Sequence, residues 1–469
     1  MDSINRIREI YISGEKKVEE YIESLVQKIG EDEYNAFITI DREKLIERAR
    51  ELDQKLSEGK ELGRLFGIPV ALKDNIMTKG MRTTCASKML ENYLPSYDAH
   101  IVEKLLEEDA VIIGKTNLDE FAMGGTSETS YFGATKNPID NSLAPGGSSS
   151  GSACSQKLGY SIISIGTDTG GSVRQPAAYC STIGYLPSYG NISRYGVVSM
   201  ANSLDQVGIF ANNIEDIVES VNIIGGHDLM DPTSTKVEDL KFELKEKSLK
   251  GLKIGYIKDR SDYNFSSEVD EDYSRAVEIF KEMGAELIEI NFKNQKYLSP
   301  TYSVISTAEA SSNLSRFDGI RYGYRTEEYD GLEDLYNKTR SEGFGEEVQR
   351  RIAIGMYYLG SDFARSVYEK ALKVRTLIKR EVEELFRDLD IILTPSATCL
   401  PPKLGDEKAG TVEAFNSGDF HVIANLTGRC AISIPMREGL GGSVQLMADR
   451  YKDEELLNIA DSFYREVYR

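Results

Sequence analysis

Three consecutive stretches decide how this chain is read: PGGSSSGSA at 145–153, SIISI at 161–165 and GTDTGGSVRQPA at 166–177. Glycine, serine and threonine crowd residues 124–208, a texture that alone would suit a flexible linker. The apolar run at 161–165 excludes that reading for most of the segment. It needs a core to lie in, and linkers do not interleave with core strands. The two glycine clusters are therefore ordered loops at strand ends.

Working outward, residues 66–72 (FGIPVAL) read as a buried strand ending at Lys73, and residues 98–108 as an amphipathic helix. Residues 111–114 form a short strand, again followed by a lysine, Lys115. The first 60 residues are mostly helical, with Leu45, Ile46, Ala49 and Leu52 at helical spacing. Residues 241–250 are strongly charged and read as a surface loop and a candidate lobe boundary. Beyond them the reading is strand at 252–257, helix at 269–283, strand at 285–290, then mostly helix to residue 386. Short strands follow at 390–393, 432–434 and 444–447, and a helix at 454–467 closes the chain. Strands alternating with helices indicate an α/β layered fold. We divide it into a helical region at 1–60 and one α/β/α domain at 61–469.

Composition narrows the function. The net charge of −20 disfavours direct gripping of nucleic acid, because that affinity comes from Lys and Arg neutralising phosphates. A partner would have to hold any RNA. Cys85, Cys154, Cys180, Cys399 and Cys430 are odd in number and show no metal-ligand spacing, so no metal site is expected. Free thiols fit a reducing cytoplasm. No leader-like or membrane-length apolar run is present in the sequence, so no membrane association is expected.

The chemistry is reached by elimination. Residues 147–151 match GxSxG, but residues 141–145 before them do not form the strand that a nucleophile elbow requires. The histidines are few: His100, His227 and His421. Neither GxxxxGK[ST] nor a GxGxxG following a strand occurs, so the loops are not phosphate cradles. Lysine remains as a base. Lys73 ends an apolar strand, where desolvation would lower its pKa and free its amine. Taken alone it reads as a strand-end lysine reaching solvent.

The company Lys73 keeps resolves this. GIPVALKDNI around Lys73, GGSSSGSA at 146–153 and GTDTGGSVRQPA at 166–177 resemble the signature of the amidase signature family, in the same order. The resemblance implies an α/β amidase-signature fold, with one large mixed β-sheet between layers of helices. It also implies a Ser–Ser–Lys triad. Ser172 is the nucleophile, Ser148 follows a cis peptide and relays the proton, and Lys73 is the base. Backbone N–H groups of Thr169, Gly170 and Gly171 would hold the oxyanion. Ser149, Ser150 and Ser152 read as loop hydroxyls bonded to their own backbone, and Asp168 and Arg174 as braces of the loop.

NLDEFAMGGTSETSYFGATKNP at 117–138, SLDQVG at 203–208, GHDLMDPTST at 226–235, EASSNLSRFDGIRYGYR at 309–325 and SEGFGEEVQRRI at 341–352 narrow the resemblance further. They are similar to the glutamine-hydrolysing A subunits of tRNA-dependent amidotransferases. This implies glutamine as substrate, with partner B and C subunits. The B subunit would hold ATP, Mg²⁺ and the charged tRNA, leaving this chain without a cofactor of its own. Arg351 matches the arginine that grips the glutamine carboxylate, and Tyr302 a tyrosine lining the same pocket. The family's ammonium-binding aspartate aligns with Gly418, which makes Asp419, one residue on, the candidate here. The alternative is a free-standing amidase acting on another small carboxamide.

Overall fold

The structure is a computed structural model that describes residues 2–260, 263, 265–360, 362–406 and 419–469. Among these residues, eleven strands form one sheet. They are β1 (Phe37–Thr39), β2 (Pro69–Lys73), β3 (Val111–Thr116), β4 (Ile163–Asp168), β5 (Ile183–Leu186), β6 (Gln206–Ala211), β7 (Lys253–Tyr256), β8 (Glu286–Glu289), β9 (Ile391–Pro395), β10 (Ala431–Pro435) and β11 (Ser443–Ala448). Their order across the sheet is β1-β3-β2-β4-β6-β5-β10-β11-β9-β7-β8. β3, β2 and β4 run parallel, as do β9, β7 and β8, and antiparallel pairings join these blocks. The sheet is mixed, as expected.

The helices of the first half are α1 (Ile4–Ile12), α2 (Val18–Gly30), α3 (Arg42–Ser57), α4 (His100–Glu107), α5 (Ser150–Lys157), α6 (Arg174–Tyr179) and α7 (Ile214–Ile224). The second half contributes α8 (Ser267–Glu282), α9 (Leu298–Leu314), α10 (Gly331–Gly343), α11 (Glu346–Gly360), α12 (Asp362–Leu385), α13 (Asp419–Thr427) and α14 (Asp453–Val467). Side-chain alternation along a strand sends neighbours to opposite faces. On β9, Ile391 and Leu393 join the core that holds Tyr273 and Phe280 of α8 and Leu456 of α14. Ile392 between them joins a second core, with Tyr302 and Ile305 of α9 and Val382 of α12. Helices therefore cover both faces.

Several expectations change. The N-terminal region carries a strand as well as helices: β1 pairs with β3, and Ile4 and Ile7 of α1 belong to the main core. The amide of Ile4 also donates to Asp216 at the start of α7 (3.1 Å). Residues 241–250 do form a connection without regular structure, but they mark no lobe boundary, because β7 beyond them pairs with β9 in the same sheet. β5 and β6 escape the sequence reading. Like β2, β3 and β4 they are buried at every position, but Gly184 and Gly208 interrupt their apolar runs, which leaves neither alternation nor a continuous run to read.

The serine- and glycine-rich composition of α5 has a packing cause. Residues 150–156 are all buried, and the helix lies hard against neighbouring backbone. A Cβ on Gly151 would stand 2.3 Å from the Ala36 carbonyl oxygen and 2.5 Å from the Asn117 nitrogen. Small residues there allow a close approach; they do not make a linker.

Candidate active site

β2 and β4 run parallel in adjacent positions, with Leu72 level with Ile165. Both strands therefore deliver their C-terminal residues to one edge of the sheet, where ligands of α/β folds bind. Lys73 comes from β2, and Asp168 followed by the loop 169–173 from β4. The segment after β3 returns to the same edge as residues 145–149 and enters α5.

Lys73 is fully buried. Its Nζ lies 2.8 Å from Ser148 Oγ, 2.9 Å from Ser149 Oγ and 3.3 Å from the Thr167 carbonyl oxygen. Burial pulls its pKa down from the ordinary lysine value to about 7, against the opposing charges of Asp119, Asp168 and Asp205. A neutral amine has two N–H donors and one lone pair. The Ser149 hydroxyl donates to Thr167 O at 3.0 Å, so Ser149 Oγ and Thr167 O can both accept from Lys73. The lone pair is then left for the Ser148 hydroxyl. That is the arrangement of a base ready to take a proton from Ser148.

Ser149 is the residue that sequence reasoning missed. Its hydroxyl belongs to the cage around Lys73. The hydroxyls of Ser150 and Ser152 also reach other elements, bonding Ser127 Oγ and Thr116 Oγ1 at 2.8 Å each. The cause is common to all three: buried at the start of α5, where it packs against other elements, these hydroxyls find partners on those elements.

The Gly147–Ser148 peptide is cis. The Ser149 amide donates to the Ser172 carbonyl (3.1 Å), which holds the two serine loops together. Ser172 itself is 9 % exposed, and its hydroxyl makes no hydrogen bond within the described residues. The loop before it is shaped by Gly171, with φ +119°. Its N–H donates to Asp168 Oδ1 at 2.7 Å and that of Val173 to Oδ2 at 3.0 Å. Gly171 is thus committed to bracing, whereas no acceptor within the described residues takes the N–H groups of Thr169 and Gly170. The Thr169 hydroxyl is anchored on Asp205 (2.7 Å). Asp205 lies in the segment 203–208 that the sequence reading singled out without giving it a role.

Asp168 and Arg174 are both fully buried and paired at 3.0 Å. Burial pushes the Asp168 carboxyl up, but the Arg174 guanidinium and the loop N–H groups outweigh it and hold the group below the usual carboxylate range. Arg174 also donates to His421 O (2.9 Å), Asn425 Oδ1 (2.7 Å) and Gln445 Oε1 (2.6 Å). The ion pair therefore ties the loop that carries Ser172 to α13 and β11.

Tyr302 and Arg351, remote in sequence from the triad, arrive at the same place. A Cβ on Gly170 would come within 2.6 Å of the Tyr302 ring, so this ring lies directly on the loop. Burial raises the Tyr302 phenol to about 12, and the positive charge of Arg351 opposes that rise, which places the guanidinium in its electrostatic reach. Arg351 is not a surface arginine. Its side chain is 11 % exposed and held by Glu347 Oε1 at 2.6 Å. Gly418 lies outside the described residues. Asp419 begins α13, and its side chain also lies outside them. Among the described residues, no cluster of His, Cys, Asp or Glu could hold a metal ion, and no helix is long and apolar enough to cross a membrane.

A base with a pKa of about 7 has a kinetic signature. For a reaction that needs neutral Lys73, kcat/KM should fall as pH drops through about 7 and level off above it. A pH–rate profile whose acid limb sits near the ordinary lysine value would exclude Lys73 as that base.

Residues 20–457 match the sequence model of the amidase family. The chain is 46% identical over 468 residues to the A subunit of the Fusobacterium nucleatum subsp. nucleatum glutamyl-tRNA(Gln) amidotransferase, spanning 99% of this chain and 96% of that protein. It is 42% identical over 464 residues to the protein of the same name from Staphylococcus haemolyticus, covering 98% and 96%. The crystal structure of the corresponding A subunit from Thermotoga maritima superposes with a TM-score of 0.73 at 38% identity, over 86% of this chain and 84% of that one. A bacterial aryl acylamidase shares the fold at 22% identity, with a TM-score of 0.86 over 99% and 96% of the two chains.

Proposed function

This chain belongs to the amidase family, and we propose that it is the glutamine-hydrolysing A subunit of a glutamyl-tRNA(Gln) amidotransferase. The observation that carries this reading is the near-full-length identity of 42–46% to such subunits from several bacteria. A free-standing amidase is the weaker alternative, because solved structures of other amidases at 22% identity speak for the fold alone.

In the proposed reaction Ser172 Oγ attacks the side-chain amide carbon of glutamine. Its proton passes to Ser148 as the Ser148 proton moves to Lys73, a relay whose Lys73–Ser148 leg spans 2.8 Å. The Ser148–Ser172 leg closes when substrate is bound; catalytic hydrogen bonds are often long in the free enzyme. N–H groups of Thr169 and Gly170 receive the developing oxyanion, with Gly171 holding the turn. Lys73 returns the proton through Ser148 to the leaving nitrogen, and ammonia departs. Water then releases glutamate from Ser172 by the same relay. Arg351 takes the α-carboxylate, for which a planar guanidinium is suited, and the Tyr302 ring closes the pocket over Gly170.

The ammonia is consumed on a partner B subunit, which supplies ATP, Mg²⁺ and the charged tRNA, with a C subunit completing the assembly. The acidic surface, at net charge −20, suits a chain that leaves tRNA to its partner. A cytoplasmic location follows from that role.

The test is ammonia release from glutamine by the chain alone and with its B and C partners. We expect release to rise when partners, ATP and charged tRNA are present. Absence of glutamine hydrolysis under every condition, with a simple carboxamide still cut, would transfer the assignment to the free-standing amidase.

A further inference from the structure

Three buried carboxylates oppose the neutralisation of Lys73: Asp119, Asp168 and Asp205, with the Cys85 thiol as a lesser neighbour. Two of them have both carboxylate oxygens hydrogen-bonded. Asp168 is paired with Arg174 at 3.0 Å and takes two loop N–H groups. Asp205 accepts the Thr169 hydroxyl on Oδ1 and the Met200 and Ala201 amides on Oδ2, at 2.7–2.9 Å.

Asp119 differs. It is fully buried, and its Oδ2 has no hydrogen-bond partner among the described residues. Oδ1 takes the Thr129 hydroxyl at 3.0 Å, and the nearby Ser127 and Thr129 backbone favours the charged form against burial. The carboxylate is pressed against the peptide that carries the bridging serine. A Cβ on Gly147 would fall 2.0 Å from Asp119 Oδ2, and the Asp119 amide donates to the Ser148 carbonyl at 3.2 Å. Lys73, whose Nζ lies 2.8 Å from Ser148 Oγ, bears on this carboxylate as a cation, while burial pushes the carboxyl up.

We propose that Asp119 is a positioning residue whose carboxylate, with Oδ2 left unbonded behind Gly147–Ser148, is a counter-charge to the ammonium form of Lys73. It does not touch the reacting atoms. Its negative charge favours the lysine ammonium formed after Ser172 and Ser148 give up a proton, and so assists the step in which Lys73 must hold that proton. The cost is a higher pH requirement for the free enzyme, because the same charge resists the neutral base. The inference rests on the Ser–Ser–Lys reading given above.

The experiment is the pH dependence of kcat/KM for amide hydrolysis by the chain with its partner subunits. Wild type is compared with Asp119→Asn, Thr129→Val and Ser172→Ala. An opposite charge close to an ionisable group shifts it by roughly one to three pH units. Asp119→Asn should therefore move the acid limb down by about one unit and lower the plateau. Thr129→Val removes the hydroxyl donor to Oδ1 and so makes the buried carboxyl easier to protonate, which should move the limb the same way by less. It also covers the case in which Asp119→Asn does not fold. Hydrolysis that depends on Ser172 with an unmoved limb in both variants overturns the role of Asp119 alone. Hydrolysis that persists in Ser172→Ala removes the triad and this inference together.

Discussion

Ser172→Ala is expected to lower kcat for amide hydrolysis by at least about 10⁴-fold while leaving the fold intact. The magnitude is that of losing the nucleophile of a catalytic triad, whose members act as a unit. The intact fold follows from local geometry. The Ser172 hydroxyl carries no hydrogen bond within the described residues, and the contact that joins the two loops uses the Ser172 carbonyl, which alanine keeps. Steady-state rates with glutamine, together with a thermal denaturation curve, separate the two effects. A variant retaining more than about one per cent of the rate would mean that the nucleophile lies elsewhere.

Arg174→Leu should produce the largest loss of stability of any single change near the site. Its guanidinium is fully buried and bonded to Asp168, His421 O, Asn425 and Gln445. Leucine would leave Asp168 as a buried charge without its cation. Breaking a buried pair on one side costs about 3–5 kcal/mol, much of it from the partner left behind. That is a large fraction of the roughly 5–15 kcal/mol that holds a typical domain together. Urea denaturation should show a lower midpoint, and activity should fall as well, because Asp168 orients Gly171 and Val173 on either side of Ser172. A midpoint within experimental error of wild type would show that the pair is dispensable. Asp168→Asn combined with Arg174→Leu should recover part of the loss, since no uncompensated charge then remains.

Much of the site is legible in the chain before it folds. Lys73 at a strand end, and Ser148 and Ser172 in glycine-rich loops on either side of an apolar strand, are local patterns. Strands and turns leave local signatures because their periodicity and turn chemistry act over a few residues. The strand at 161–165 was enough to turn a linker-like texture into ordered loops. The same local logic finds most of the parallel strands and the long helices.

Other features depend on contacts that no local pattern records. Residues 148–152 include four serines of similar appearance, and only their placement against β2 and β4 decides that Ser148 and Ser149 reach Lys73 while Ser150 and Ser152 do not. The depressed basicity of Lys73 is a property of burial, which needs the whole sheet and its covering helices. Arg174 finds its partners 247 to 271 residues away, and Tyr302 reaches Gly170 across 132 residues of chain. β5 and β6 were hidden because Gly184 and Gly208 break the apolar runs that made the equally buried β2, β3 and β4 legible, and only their pairing in the sheet defines them. The sequence by itself thus determined which groups could do the chemistry. The tertiary structure decided which hydroxyls the lysine touches, which charges are compensated and which are not, because hydrogen-bond and Coulomb energies depend on distances that chain separation does not set.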